Sequence, residues 1–162
     1  MASEPWIANA SPLILLGKAG LTDLLVRLAG TVLVPAAVSG EISAGPDGGR
    51  IVEILKREKR VHFHPSVSPP PALAAWDLEP GETQVIALAD SFPACRVVLD
   101  DLQARRCARA RGLKIIGTLG LVGRAKRLGL IAEARPHVQA LLRAGLYATD
   151  EIIEQILREV GE

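Results

Sequence analysis

Four segments each set an Asn, Glu or Asp at the rim of an apolar run: Ile7-Ala8-Asn9-Ala10-Ser11-Pro12, Val38-Ser39-Gly40-Glu41-Ile42, Gly81-Glu82-Thr83-Gln84, and Val97-Val98-Leu99-Asp100-Asp101. If the apolar runs are parallel strands closed by helices, these groups converge at one end of the sheet, where open α/β folds keep their ligand sites. Hard oxygen donors with no Cys or imidazole among them select Mg²⁺ or Mn²⁺. An ion so held would polarise a phosphoryl group and deliver an activated water. Each residue also has an ordinary reading. Asp100, Asp101 and Glu82 stand where acids cap helices and complement their dipoles. Glu41 could be a solvent-facing residue of an apolar helix, Asn9 a turn residue and Ser11 an N-cap.

The charge distribution suits a polyanion. Nine of the nineteen Lys and Arg lie between Arg96 and Arg127, with only Asp100 and Asp101 of the eighteen acids. Lys56-Arg57-Glu58-Lys59-Arg60 is a second basic run. Basic side chains hold phosphates by charge beside carboxylates that hold an ion, although a solvated helix face explains such runs equally well.

Elements that position these groups alternate along the chain. Trp6 to Asn9, Thr31 to Val34, Val61 to Phe63, Val97 to Leu99 and Lys114 to Ile116 read as about five short strands. Between them the spacing predicts helices: one from an Ser11 N-cap with Pro12 at the first helical position, broken at Gly17 and Gly20, then 21–28, 36–43, one around Ile51 and Leu55, one opened by Gly81-Glu82, 101–110, 119–128, and a C-terminal helical pair within 132–160. Pro65, Pro69, Pro70, Pro71 and Pro80 make 65–80 a surface loop. This alternation predicts an α/β fold, a three-layer α/β/α sandwich on a parallel sheet, with 1–162 as one domain.

Taken together, the four stations resemble the PIN-domain ribonucleases, specifically the VapC-like toxin branch. The resemblance runs through Asn9-Ala10-Ser11-Pro12-Leu13-Ile14, Val34-Pro35-Ala36-Ala37-Val38 with Glu41-Ile42, Gly81-Glu82 with Ala87-Leu88-Ala89, Leu99-Asp100-Asp101 with Ala104-Arg105, and Gly117-Thr118-Leu119-Gly120 with Gly129-Leu130-Ile131. It implies Glu41, Glu82 and Asp100 as catalytic residues and Asn9, Glu41, Glu82, Asp100 and Asp101 as ligands of Mg²⁺ or Mn²⁺. Ser11 and Thr118 would assist, and Arg105 and Arg106 are the nearest candidates for binding RNA. Asn9 departs from the pattern by standing where the family's first strand ends in an Asp, which removes one negative charge. The resemblance further implies hydrolysis of RNA phosphodiesters, a small cognate antitoxin and a homodimer, the last through helix 21–28 or the C-terminal pair. The alternative is a catalytically degenerate PIN domain that binds RNA or protein without cutting.

Other classes fare less well. No apolar run approaches the ~20 residues needed to cross a bilayer, and Met1 to Trp6 lacks a basic, then apolar, leader, so a cytoplasmic protein is expected. Cys95 and Cys107 read as reduced packing thiols. Gly117-Thr118-Leu119-Gly120-Leu121-Val122-Gly123 has GxxGxxG spacing instead of a dinucleotide turn's GxGxxG. His62 and His64 lack an evident third zinc ligand. Asp100-Asp101 lacks the DxD spacing of a phosphatase nucleophile, and Trp6, Trp76 and Tyr147 are too scattered in sequence to suggest a base-stacking platform.

Overall fold

The structure, a computed structural model, describes residues 4–162; residues 1–3, part of the start read above as lacking a leader, lie outside the described residues. In chain order the elements are β1 (Trp6–Ala8), α1 (Ala10–Ala19), α2 (Thr22–Ala29), β2 (Val32–Pro35), α3 (Ala36–Ala44), α4 (Gly48–Arg57), β3 (Val61–His64), α5 (Pro80–Ala89), β4 (Arg96–Val98), α6 (Leu102–Ala110), β5 (Lys114–Ile116), α7 (Thr118–Arg127), α8 (Arg135–Arg143) and α9 (Asp150–Glu159). The strands form one five-stranded parallel sheet in the order β3-β2-β1-β4-β5, flanked by helices as the expected α/β/α sandwich. No helix among the described residues is long and apolar enough to cross a membrane.

Burial explains why the strands are legible as plain apolar runs. β1 and β2 are buried along their whole length, because helices cover both faces of a parallel sheet and leave no polar side to alternate. The edge strands differ: His62 and Phe63 of β3 and Lys114 of β5 are exposed. His62 and His64 thus belong to a sheet edge, where the His64 Nδ1 lies 2.9 Å from the Pro65 carbonyl. Cys95 and Cys107 are free and buried, as packing thiols should be.

The chain leaves β1 to build β2 and β3 on one side, then returns to build β4 and β5 on the other. That reversal falls between β1 and β4, and a parallel sheet leaves a crevice there beyond the carboxyl ends of its strands. Ala8 pairs with Val98, and the Asn9 N–H donates to the Val98 carbonyl at 3.1 Å. Asn9 and Asp100 therefore leave neighbouring strands at the mouth of the crevice.

Three expectations need correction. Asn9, not Ser11, is the N-cap of α1, and its side chain makes no capping bond; the helix starts two residues early because Asn9 already leaves β1 extended. Gly17 does not break α1. It lets the helix approach α4, since a Cβ there would meet the Ile51 Cγ1 at 3.2 Å, and the break comes at Gly20, whose φ of 73° is left-handed. The proline-rich stretch is not all loop: Pro71–Trp76 forms a 3-10 turn around buried Leu73, which proline's fixed φ permits. Gln84 of α5 ties down the same stretch by bonding both backbone groups of Val67, at 2.8 and 2.9 Å.

Helix α2 spends its apolar face inside the protomer. Leu24 and Leu25 are buried in the core, while Leu21 and Leu28 are partly buried against it.

The corner between α3 and α4 holds the helix that carries Glu41. A Cβ at Gly48 would lie 2.0 Å from the Ile42 carbonyl oxygen, whereas one at the adjacent Gly49 would meet nothing within 4 Å. Alanine normally stabilises a helical glycine position by about 0.4–1 kcal/mol. Gly49→Ala should therefore raise the melting temperature slightly, and Gly48→Ala should lower it by several degrees. Equal shifts in thermal denaturation would refute this packing of the corner.

Candidate active site

The site is built outward from the end of β4. Leu99, fully buried, donates its N–H to the Ile116 carbonyl at 3.0 Å and carries the sheet one step past β4. Asp100 then turns its carboxylate to the start of α7. Its Oδ1 accepts the Thr118 N–H at 2.7 Å, and its Oδ2 accepts the Thr118 hydroxyl. Thr118 is fully buried, while Asp100 is half-buried at the cleft wall. Beneath them, the Arg105 Nη1 donates to the Leu99 carbonyl at 2.9 Å. The space between is tight: a Cβ at Gly117 would lie 2.7 Å from that Nη1 and 3.1 Å from the Asp100 Oδ1, so one of these side chains would have to shift. The glycine of the GxxGxxG run is thus a clearance for this carboxylate, and Asp100 takes the helix N-terminus that a phosphate would need in a nucleotide-binding turn.

Asp101 caps α6, its Oδ2 accepting the Ala104 N–H at 2.9 Å. Glu82 lies in the first turn of α5, and its Oε2 accepts the Glu79 N–H at 3.2 Å. Glu41 reaches the same helix start from α3, its Oε1 accepting the Gly81 N–H at 2.8 Å. Gly81 leaves room for this carboxylate, since a Cβ there would lie 2.6 Å from the Glu41 Oε1 and displace it. Desolvation, then the Asp101 charge, with smaller contributions from Glu79 and Glu41, push the Glu82 carboxyl above its ordinary range, against the opposing bond from the Glu79 N–H. Partial burial and like charges both disfavour the ionised form.

A cleft of about 650 Å³ gathers Asn9, Ser11, Glu82, Asp100 and Asp101. Asn9 is only 5% exposed, and its Oδ1 is buried without a hydrogen-bond partner. The cleft also takes in Lys18 of α1 and Gly145, Leu146 and Tyr147 from the α8–α9 connection. Sequence reasoning missed these four, and Tyr147 in particular was set aside as isolated. Lys18 could have been found from helix geometry, one turn beyond Ile14 on the same face of α1. Nothing local marks the connection.

Not every expected residue lines this cleft. Glu41 stands behind it, on the α5 helix start next to Glu82. Arg105 lies beneath Asp100 and lines a second, adjoining cleft with it. Arg106 lines neither: it is exposed on α6, because successive residues of a helix point about 100° apart. Among the described residues no three His, Cys, Asp or Glu side chains converge closely enough to hold a metal ion alone.

The family profile described as a PIN domain, DUF3368, matches residues 5–162, and the chain belongs to this family. The structure of the PIN domain endonuclease Utp24 is similar to this one, with a TM-score of 0.53 at 13% sequence identity, over 69% of this chain and 83% of that chain. At that identity the likeness concerns the fold. No curated protein matches the sequence.

The raised Glu82 carboxyl has a measurable consequence. Its charged form is disfavoured in the folded protein, so its stabilising contribution is present below the ordinary value of 4.5 and is lost as pH rises through the raised one. Gln is neutral throughout and can still accept from the Glu79 N–H. Glu82→Gln should therefore melt about 1–3 °C higher than the parent at pH 7, and the advantage should vanish by about pH 4, where Glu82 is itself protonated. A lower melting temperature at pH 7 would contradict this account of the charge cluster.

Proposed function

We propose that the protein is a metal-dependent endoribonuclease that hydrolyses RNA phosphodiesters. Membership of the PIN-domain family supports a nuclease, and the observation that carries the reading is the cleft in which Asn9, Glu82, Asp100 and Asp101 meet at the carboxyl ends of β1 and β4. The donor chemistry fits Mg²⁺ or Mn²⁺, cations that accept one or two carboxylates and otherwise keep waters. The orphaned Asn9 Oδ1 is the structural sign of that fit, since a buried acceptor without a partner costs about 1–3 kcal/mol. Asn9, Glu82 and Asp100 would hold the ion, with Asp101 through water and Glu41 adding negative potential from behind. When bound, the ion would supply Lewis-acid polarisation of the phosphoryl group.

The chain's own groups have separate tasks in this reading. Lys18 holds a phosphate at the open end of the cleft, and Arg105 offers its remaining donors beside Asp100. Thr118 positions Asp100 through its two bonds and frees no oxygen for substrate. The attacking water gives up its proton to a carboxylate of the cleft as the new P–O bond forms and the bond to the leaving oxygen breaks. Purified protein with Mn²⁺ should cut single-stranded RNA and stop in EDTA. Asp100→Asn and Glu82→Gln should each lower the rate by about 10²-fold or more while keeping the circular dichroism of the parent. Cutting in EDTA, or parental rates in both variants, would overturn the metal mechanism.

The sequence resemblance to VapC-like toxins supports a further role as the toxin half of a toxin–antitoxin pair, held by a small antitoxin protein and working as a homodimer. With Leu24 and Leu25 committed to the core, the C-terminal helices are the proposed dimer surface.

A specific observation favours a second reading, a PIN domain that binds without cutting: Thr118 engages both oxygens of Asp100, and position 9 carries a neutral Asn where the sequence resemblance leads one to expect an acid. Asn9→Asp separates the two. At about 4 Å and an effective dielectric of about 20, one unit charge is worth on the order of 4 kcal/mol per unit of ion charge before desolvation, so Mn²⁺ affinity should rise at least about tenfold. Because position 9 is buried, the metal-free variant should also be less stable than the parent. Calorimetric Mn²⁺ titration and RNA cleavage in parallel decide: tighter metal with faster cutting supports the nuclease, tighter metal without cutting supports the binding module, and unchanged affinity removes Asn9 from the site.

A further inference from the structure

Tyr147 lies on the α8–α9 connection with 92% of its surface exposed, so it contributes almost nothing to the core. Exposing so large an apolar ring forfeits burial worth about 1.5–3 kcal/mol, and this chain has few aromatic residues to spare. The ring is placed between two clefts. One is the acid-lined cleft, and the other, of about 360 Å³, adjoins it and is walled by Leu119, Leu146, Ile152 and Ile156, with Arg105 and Gly117 at the Asp100 end. Asp100, Leu146 and Tyr147 line both.

We propose that the second cleft is a nucleobase subsite, in which an unpaired base next to the phosphate held at the carboxylates stacks on Tyr147. The inference rests on the nucleic-acid reading above and adds to it where the neighbouring base goes. A nucleic acid chain alternates a charged phosphate with an apolar, π-faced base, and the two clefts alternate in the same way on either side of Asp100. Stacking on an exposed aromatic is worth about 1–3 kcal/mol per base and tolerates any base, since each has a π face. Arg105 adds what an apolar wall cannot. One nitrogen is held by the Leu99 carbonyl, which fixes the guanidinium plane, and its other donors remain for a base edge or the phosphate that follows. An apolar peptide would suit the Leu119, Ile152 and Ile156 wall, but it would leave the charged Arg105 end without a partner.

The test uses the full-length protein and single-stranded RNA oligomers carrying one 2-aminopurine, scanned through the sequence, with Ca²⁺ in place of Mn²⁺ so that the carboxylates keep a cation for the phosphate and binding is read without cutting. One position should be quenched on binding by the parent and by Tyr147→Phe. Tyr147→Ala and Tyr147→Leu should lose the quenching and bind about 5- to 100-fold more weakly, with unchanged melting temperatures because the ring is exposed. An abasic site at that position should erase the difference between the parent and Tyr147→Ala. Parental binding and quenching by Tyr147→Ala overturn the subsite, and full affinity in Tyr147→Leu would show that an apolar surface suffices and point to a protein occupant instead. RNA binding by the parent without cleavage in Mn²⁺ would defeat only the nuclease reading. No RNA binding by the parent would defeat both.

Discussion

Like-charged carboxylates repel, and a site that collects them at one end of a sheet needs a source of positive potential before any ion arrives. Helix starts supply it here. Asp100 accepts from the first residue of α7, Asp101 from the first turn of α6, Glu41 from the N–H of Gly81 at the start of α5, and Glu82 from the N–H of the α5 cap residue. Each start presents unpaired N–H groups and the positive end of a helix dipole. A parallel sheet makes this unavoidable, since every strand's carboxyl end is followed by a helix whose N-terminus points back to the same rim. The glycines at 81 and 117 reflect the same crowding: a side chain would displace the Glu41 carboxylate at 81, and the Arg105 guanidinium beside Asp100 at 117.

Asn9 lacks such support. It caps α1 in position only, its side chain bonds to nothing, and its Oδ1 is buried. Neighbouring acids have their partners within the protein, whereas Asn9 has an unmet acceptor at the same rim. A neutral Asn adds no charge to those gathered at the rim, and it leaves no carboxylate buried at position 9.

Charge counted along the chain and charge delivered to the cleft are different quantities. Arg105 and Arg106 are adjacent and look equivalent, yet one is folded under Asp100 and the other faces solvent away from both clefts. Part of Arg105's donor capacity is spent on the Leu99 carbonyl. Lys18, outside the basic third of the sequence, is the cation that reaches the acid-lined cleft.

The sequence by itself determined the local and the periodic: buried strands as continuous apolar runs, helix starts at acids, and hence the sheet and the acidic rim. Asp101 illustrates this, since a cap is decided by bonds three residues away. Where a neighbour is distant, the sequence was silent. Asn9 rather than Ser11 starts α1 because pairing with β4 holds Asn9 extended, and the proline-rich turn exists because Leu73 finds the core and Gln84 holds Val67. Tyr147 reaches the site only because α8 packs on α1 and α9 on α7, which swings their connection over the crevice. Such placement depends on side chains far apart in the chain meeting in a close-packed interior, and no pattern within a few residues records it.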